Sequence, residues 1–250
     1  MRPSPRSPYC RGHGGAGSRR PLVPRPVAQA VVSESLPSLY VVTDADRLGE
    51  ERVRDSIRSA SEGGLSMVQL REPSWSIERL EAFGRSLLDR VAGLSLVVSC
   101  HAGDDFTSRM ELADRLGARG VHVGGGETGR VAEAREALDE DRLIGYSAHS
   151  AAEAADAFEQ GASYVSLSPV FLPLSKTGEF QPLGLEELGR ACSRLPGPVY
   201  ALGGVTPAAA SSIKDMGAAG VAVITAILEA DDPAGVSRKI QAPWGDRAAG

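Results

Sequence analysis

The sequence contains few of the residues that build disulfide scaffolds, zinc modules or membrane spans. It has three cysteines in 250 residues, none in a Cys-x-x-Cys pair, which excludes a disulfide framework and a zinc module. Aromatic residues make up only 5%, and no apolar run approaches the roughly 20 residues that cross a bilayer. We therefore expect a soluble protein of a reducing compartment, the cytoplasm.

Charge is unevenly distributed along the chain. Residues 1–33 hold six arginines but no lysine and no acidic residue, so the net charge of −5 becomes −11 for the remainder. An acidic folded part is not expected to bind nucleic acid. Residues 1–36 are rich in Arg, Pro, Gly and Ser, and this composition predicts a disordered tail. The alternative is a targeting peptide, although the segment lacks an apolar core and its prolines disfavour a helix.

From Pro37 onward one pattern recurs eight times: a short apolar run, a polar turn and a stretch with helical spacing. The apolar runs lack polar alternation, which is typical of parallel strands covered by helices. Eight such units predict an α/β fold, a single (β/α)8 TIM barrel over residues 37–242 with a C-terminal tail at 243–250. The predicted strands are 39–43, 67–71, 95–99, 120–123, 143–146, 164–167, 198–201 and 221–224, and the predicted helices are 50–62, 76–92, 105–117, 130–139, 150–160, 184–194, 207–217 and 232–241.

Polar residues at the carboxyl ends of the predicted strands are the candidate site, because TIM barrels carry their chemistry there. We call this end the mouth of the barrel. Gln69 and Arg71 share one face of the second strand, and an arginine at the mouth is expected to meet an anion. The other candidates are His122 on the fourth strand, Ser147 and His149 after the fifth, and Ser175 and Lys176 in the long loop 168–182.

Two further features predict a phosphate site. Gly203 and Gly204 follow the seventh strand, where paired glycines let backbone N–H groups approach an anion closely. Ile224 and Thr225 follow the eighth strand, and the segment can open a short helix at the same place. Loops after the seventh and eighth strands are the usual phosphate cradle of this fold.

Structural roles remain open for some of these residues. His122 lies between two valines and can be a hydrogen-bonded core histidine, and His149 can cap the helix that follows it. Arg71 and Glu72 can form a local ion pair at the end of a strand. Cys100-His101 and the pair Asp104-Asp105 look like a metal or nucleophile site, but no third ligand lies at a useful spacing.

Seven segments, in the same order and with similar spacing, resemble the thiamine phosphate synthase/TenI family. They extend over about residues 38–235 and read LYVVTD, VQLRE, GVHVG, IGYSAHSAAEA, YVSLSPVFLPLSKTG, ALGGVTP and GVAVITAI. The resemblance implies an enzyme of thiamine biosynthesis whose thiazole phosphate is held by Gly203, Gly204 and Ile224-Thr225. From charge and hydropathy, no nucleic-acid or membrane partner is expected, and a homo-oligomer is left open.

The family carries out two reactions on one barrel. Synthases join a pyrimidine methyl diphosphate to thiazole phosphate and release pyrophosphate with Mg²⁺. TenI proteins shift a proton that aromatises a thiazole carboxylate phosphate, with the histidine matching His149 as acid/base. This sequence lacks the Asn-Asp-Arg triplet that synthases usually carry after the third strand and the Gly-Gln-Glu-Asp segment after the fourth, and Pro73 replaces a common lysine. Asp104, Asp105 and Glu127 are the substitute Mg²⁺ ligands that a synthase would need.

These departures favour a TenI-like thiazole tautomerase that needs no metal or other cofactor. In this hypothesis Gln69 and Arg71 orient the ring or its carboxylate, Lys176 closes over the mouth, and His149 moves the proton, since imidazole titrates near neutral pH. The alternatives are a Mg²⁺-dependent thiamine phosphate synthase, which also binds pyrimidine diphosphate, and a non-catalytic regulatory protein that binds thiazole phosphate. An epimerase or an isomerase of tryptophan synthesis would need a carboxylate at the end of the seventh strand, which has none.

Overall fold

Eight parallel strands close into a barrel in the computed structural model, which describes residues 36–101, 103, 105–172 and 181–245. Each strand pairs with the next, and β8 closes the barrel by pairing with β1. The strands are β1 (Leu39–Val42), β2 (Met67–Leu70), β3 (Ser95–Cys100), β4 (Gly120–Val123), β5 (Leu143–Ala148), β6 (Tyr164–Leu167), β7 (Val199–Leu202) and β8 (Gly220–Val223). All eight predicted strands are confirmed within two residues at each end, and with them the TIM-barrel fold.

Helices cover the outside of the barrel. They are α1 (Ala45–Leu48), α2 (Glu50–Glu62), α3 (Ile77–Arg90), α4 (Phe106–Arg115), α5 (Gly129–Ala137), α6 (Ala151–Glu159), α7 (Gly184–Arg194), α8 (Ala210–Asp215), α9 (Thr225–Leu228) and α10 (Pro233–Gln241). The predicted helix at 207–217 begins as a 3-10 turn at Pro207–Ala209. The short helix expected at Thr225 is α9, whereas α1 is too short to be seen as a periodic pattern. No helix in these residues is both long and apolar enough to cross a membrane.

The interior of the barrel holds a layer of aromatic side chains. Tyr40, Tyr164 and Tyr200 are fully buried, and their ring centroids lie 5.2 to 6.1 Å apart in edge-to-face contacts. His122 is buried beside them. Its Nδ1 lies 3.1 Å from the Tyr164 hydroxyl and its Nε2 lies 2.9 Å from Ser147 Oγ. His122 is thus enclosed inside the barrel, with its two ring nitrogens hydrogen-bonded to Tyr164 and Ser147.

Burial sets the charge of this histidine. His122 is 0% exposed, and removal from water lowers its pKa to about 3, with further lowering by the charges of His101 and Arg71. The ring is therefore neutral at physiological pH, with one nitrogen as donor and the other as acceptor. Tyr164 and Ser147 carry hydroxyls that serve either role, so both nitrogens are satisfied.

Both ends of the described chain lie at the other end of the barrel. The Tyr200 hydroxyl donates to Pro37 O at 2.6 Å, and the Trp244 indole N–H donates to Ala218 O at 3.0 Å, so packing continues past residue 242. A cavity of about 1340 Å³ lies between these ends and is lined by Leu36, Trp244 and neighbouring residues. This cavity lies away from the strand ends that carry the candidate site. The predicted tail at residues 1–36, apart from Leu36, lies outside the described residues.

Tyr164→Phe tests the hydrogen bond inside the barrel. The substitution leaves a buried nitrogen of His122 without its partner, and we expect the free energy of unfolding to fall by about 1–3 kcal/mol. Tyr40→Phe is the matched control, because the fully buried Tyr40 hydroxyl interacts only weakly with Ser166 and its loss leaves no histidine nitrogen without a partner. It should cost less stability than Tyr164→Phe. Urea denaturation measures both, and equal losses would contradict the account.

Candidate functional site

The end of β2 places an arginine at the mouth without a carboxylate beside it. Arg71 Nε donates to His101 Nε2 at 3.0 Å, and no carboxylate of the described residues forms a salt bridge with Arg71. The His101 ring lies against the backbone of Gly124, where a Cβ would collide with it. Gln69 is 3% exposed, and its side-chain amide donates to Ser99 Oγ at 3.1 Å. The terminal nitrogens of the guanidinium are therefore available to an anion.

Glu72 does not pair with Arg71, so the local ion pair considered from the sequence is wrong. Its carboxylate is 1% exposed and accepts hydrogen bonds from the N–H groups of Ala45 at 2.7 Å and Asp46 at 2.9 Å. Burial raises the pKa of Glu72, and these two bonds oppose the rise. Glu72 thereby ties the end of β2 to the first turn of α1.

The histidine after β5 is held at two points. The His149 N–H donates to Glu153 Oε2 at 2.7 Å, and ring Nδ1 lies 2.9 Å from Ser168 O. A carbonyl oxygen only accepts, so Nδ1 carries the hydrogen and Nε2 of the neutral ring is an acceptor. Ser150, not His149, caps α6 by accepting from the Glu153 N–H. The exposed imidazole at the mouth is thus available to a ligand through Nε2.

Glu153 is a site residue that our sequence reasoning missed. Its Oε1 accepts from the Tyr146 hydroxyl at 2.6 Å and from the Gly126 N–H at 2.9 Å, in addition to the bond from His149. Burial acts to raise the pKa of Glu153, but these hydrogen bonds outweigh burial and lower it. The spacing Ser150-x-x-Glu153 was the available signal, because it is that of a capping box.

The glycine pair after β7 packs against the loop that follows β6. Gly203 and Gly204 have positive φ of 94° and 63°. A Cβ on Gly203 would lie 2.8 Å from Pro169 Cα, and one on Gly204 would lie 2.5 Å from Leu172 O. Phe171 N–H also donates to Gly203 O at 3.0 Å. The pair therefore has a packing role of its own.

Main-chain N–H groups without an acceptor among the described residues nevertheless lie at the ends of β7 and β8. The N–H groups of Gly203, Gly204 and Ile224 donate to no acceptor among the described residues. Ile224 directly precedes Thr225, the first residue of α9, and the ends of β7 and β8 are neighbours in the barrel. Unpaired main-chain donors favour an anion. These residues are the ones predicted to bind phosphate.

The substitute metal ligands are not brought together. Both carboxylate oxygens of Asp105 accept hydrogen bonds from Ser108, so Asp105 caps the N-terminus of α4. These bonds lower the pKa of Asp105. Glu127 Oε1 lies 3.3 Å from Arg130 Nε, whereas Oε2 is buried without a partner. Cys100 is fully buried. Within residues 36–101, 103, 105–172 and 181–245, no three His, Cys, Asp or Glu side chains form a metal-binding group. Asp104, Ser175 and Lys176 lie outside these residues.

Gly204→Ala tests the packing of the loop after β6. The new methyl group would meet Leu172 and Phe171, so the loss of stability should combine backbone strain with overpacking of about 1–3 kcal/mol. Gly117→Ala is the matched control, because Gly117 has a similar φ of 58° with nothing within 4 Å of a Cβ. Chemical denaturation should give a larger loss for Gly204→Ala. Equal losses would show that the loop does not press on the glycine.

Comparison with known proteins identifies the family. The sequence model of the TMP-TENI family, described as thiamine monophosphate synthase, matches residues 39–227. Thiamine-phosphate synthase of Roseiflexus sp. (strain RS-1) is 34% identical over 206 residues, which cover 82% of this chain and 84% of that protein. The putative thiamine-phosphate synthase of Geobacter sulfurreducens is 36% identical over 200 residues, covering 78% and 89%. The structure of thiamine phosphate pyrophosphorylase from Pyrococcus furiosus matches with a TM-score of 0.68 and 28% identity over 81% of this chain and 93% of that chain. The chain therefore belongs to the thiamine monophosphate synthase/TenI family, and it is an enzyme of thiamine biosynthesis.

Proposed function

We propose that this enzyme is a thiamine-phosphate synthase, which joins a pyrimidine methyl diphosphate to a thiazole phosphate and releases pyrophosphate. Such a reaction needs separate places for two phosphorylated substrates. Arg71 provides a cationic place at the end of β2, and the N–H groups of Gly203, Gly204 and Ile224 provide a second one. The strands β2 and β7 are three positions apart around the closed barrel. These two separate anion-binding places are the observation that carries the proposal.

The relatives favour the synthase reaction. The differences from the usual synthase motifs had favoured the thiazole tautomerase instead. The three proteins described above are named for the synthase or pyrophosphorylase reaction. Their identities of 28 to 36% extend over most of the barrel. A synthase is therefore the better-supported member of the family for this chain.

Each candidate residue has a task in this proposal. Gly203, Gly204, Ile224 and Thr225 bind the phosphate of the thiazole substrate. The terminal N–H groups of Arg71 bind the diphosphate and counter the negative charge that builds up on the leaving pyrophosphate. Gln69 and Ser147 orient the pyrimidine ring, and Nε2 of His149 accepts a hydrogen bond from a ring substituent. Ser175 and Lys176 on the loop after β6 complete the diphosphate site.

Glu127 is the described residue that fits a Mg²⁺ ion. Its Oε1 lies 3.3 Å from Arg130 Nε, and its Oε2 is a buried carboxylate oxygen without a hydrogen-bond partner among the described residues. Counted from Gly124, Glu127 also takes the place of the Asp in the Gly-Gln-Glu-Asp pattern. Proteins commonly hold Mg²⁺ through one or two carboxylates plus substrate phosphates. Glu127 would hold the ion together with the diphosphate, and the ion would neutralise charge on the leaving group.

The thiazole tautomerase is the second candidate, and the geometry of His149 favours it. Donation from Nδ1 to Ser168 O leaves Nε2 as the proton acceptor at the mouth. A single acid/base of this kind is what a proton shift requires. In this reaction Arg71 would hold the carboxylate of the thiazole, and no metal would be needed.

Product analysis separates the two reactions. With pyrimidine methyl diphosphate, thiazole phosphate and MgCl₂, we expect pyrophosphate release that stops when EDTA is added. Thiazole carboxylate phosphate with EDTA present is the parallel reaction. Isomerisation of thiazole carboxylate phosphate, with no pyrophosphate release from the synthase mixture, would contradict the synthase and support the tautomerase. Thermal stabilisation by thiazole phosphate with turnover in neither reaction would support the regulatory protein.

Glu127→Gln tests the proposed Mg²⁺ ligand. Replacing the carboxylate by a neutral amide should raise the Mg²⁺ concentration for half-maximal pyrophosphate release by at least about tenfold, which corresponds to about 1.4 kcal/mol. Glu133→Gln, on the exposed face of α5, should leave this concentration unchanged. Steady-state rates over a Mg²⁺ series measure both. An unchanged Mg²⁺ dependence in Glu127→Gln would remove this residue from the metal site.

A further inference from the structure

One carboxylate joins three segments at the mouth of the barrel. Glu153, in the first turn of α6, accepts hydrogen bonds from the Tyr146 hydroxyl, the Gly126 N–H and the His149 N–H at 2.6, 2.9 and 2.7 Å. We propose that Glu153 is a positioning residue that fixes His149 and the loop after β4, residues 124–128, relative to each other. Its kinetic consequences rest on the proposed function.

The position of the His149 ring depends on this carboxylate. The residue is anchored through its backbone N–H to Glu153 and through ring Nδ1 to Ser168 O. The free ring nitrogen, Nε2, faces Gly125, where a Cβ would lie 2.9 Å away. Gly125 belongs to the loop that Glu153 holds through Gly126. The carboxylate therefore links the backbone of His149 to the loop that the ring faces.

The loop carries the residue that would bind Mg²⁺. Gly126 has φ of 82° and directly precedes Glu127. The hydrogen bond from the Gly126 N–H to Glu153 therefore helps to fix the position of the Glu127 backbone. Nothing lies within 4 Å of a Cβ on Gly126, so side-chain packing at this position does not fix the loop. The Gly126 N–H is held instead by Glu153 Oε1 and by the Tyr146 hydroxyl, which itself donates to Glu153.

Only an ionised carboxylate suits this position. The three partners of Glu153 present two N–H groups and one O–H group, and a carboxylate offers two oxygens with no competing donor. Hydrogen bonds to an ionised acceptor are also shorter and stronger than neutral ones. A glutamine of the same length would turn its NH₂ group toward at least one of these donors. Glu153→Gln therefore removes the bridge with little change in side-chain volume.

Glu153→Gln is the direct test, with Glu159→Gln at the exposed end of α6 as the control. We expect kcat for pyrophosphate release to fall on the order of 10- to 100-fold, as a displacement near 1 Å can produce. KM for thiazole phosphate should stay within about twofold, because its binding place lies at Gly203 and Gly204. Nitrogen-15 NMR of the His149 imidazole should show Nδ1–H in the wild type and a mixture of tautomers in the variant. The control should change none of these quantities.

A second variant keeps the test decisive if Glu153→Gln does not fold. Tyr146→Phe removes one of the three donors to Glu153 and one of the two acceptors of the Gly126 N–H. It leaves the bonds from Gly126 and His149 to Glu153 in place, so it should lower kcat in the same direction by a smaller factor. A folded Glu153→Gln with unchanged kcat and an unchanged His149 spectrum would overturn the proposal, as would equal losses of kcat and of thiazole phosphate affinity. If Glu153→Gln does not fold, an unchanged kcat and spectrum in Tyr146→Phe would overturn it. The NMR readout needs no substrate, so a wild type without pyrophosphate release would count against the proposed function alone.

Discussion

The pairing of β1 with β8 closes the sheet, and the candidate site depends on this closure. Because all eight strands are parallel, their carboxyl ends meet at one rim. Closure brings Arg71 at the end of β2 and Gly203 at the end of β7 to the same mouth, although 131 residues separate them in the sequence. Short strands of four to six residues suffice, since each is buried against both neighbours and the helices.

The proposed phosphate sites lie in a chain whose folded part is acidic. After residue 33 the net charge is −11, which by itself repels anionic substrates. Three acidic groups around the mouth are satisfied locally: Glu72 accepts two backbone N–H bonds, Glu153 accepts three bonds, and Asp105 accepts two from Ser108. Arg71, by contrast, has no carboxylate partner among the described residues. Positive charge and main-chain donors are thus left for a ligand.

The strands were predictable because their apolar, often β-branched runs are buried on both faces and separated by helical spacing. The shared facing of Gln69 and Arg71 followed from the period of two, and the two side chains reach Ser99 and His101, which are also two residues apart. The depth of His122 did not follow, because it depends on the interior tyrosines that three other strands supply. Periodicity places a residue on a face, but only the closed barrel shows which layer it occupies.

Glu72 was given the wrong partner and Glu153 was missed for a different physical reason. Their partners are backbone N–H groups of other segments, and a sequence does not show which N–H groups a fold leaves unpaired. Glu127 was discounted as a departure from the family pattern, although its register from Gly124 matches the expected acidic position. Sequence patterns are therefore least informative about polar side chains that hydrogen-bond to the backbone of other segments.

The central claim is that main-chain N–H groups after β7 and β8 bind a phosphate. The most direct measurement is a proton–nitrogen NMR titration of the amides with thiazole phosphate and, separately, with the same thiazole lacking the phosphate. The account predicts that the amide signals of Gly203, Gly204, Ile224 and Thr225 shift with the phosphorylated compound and stay in place with the other. Equal shifts with both compounds, or shifts confined to other parts of the chain, would contradict it.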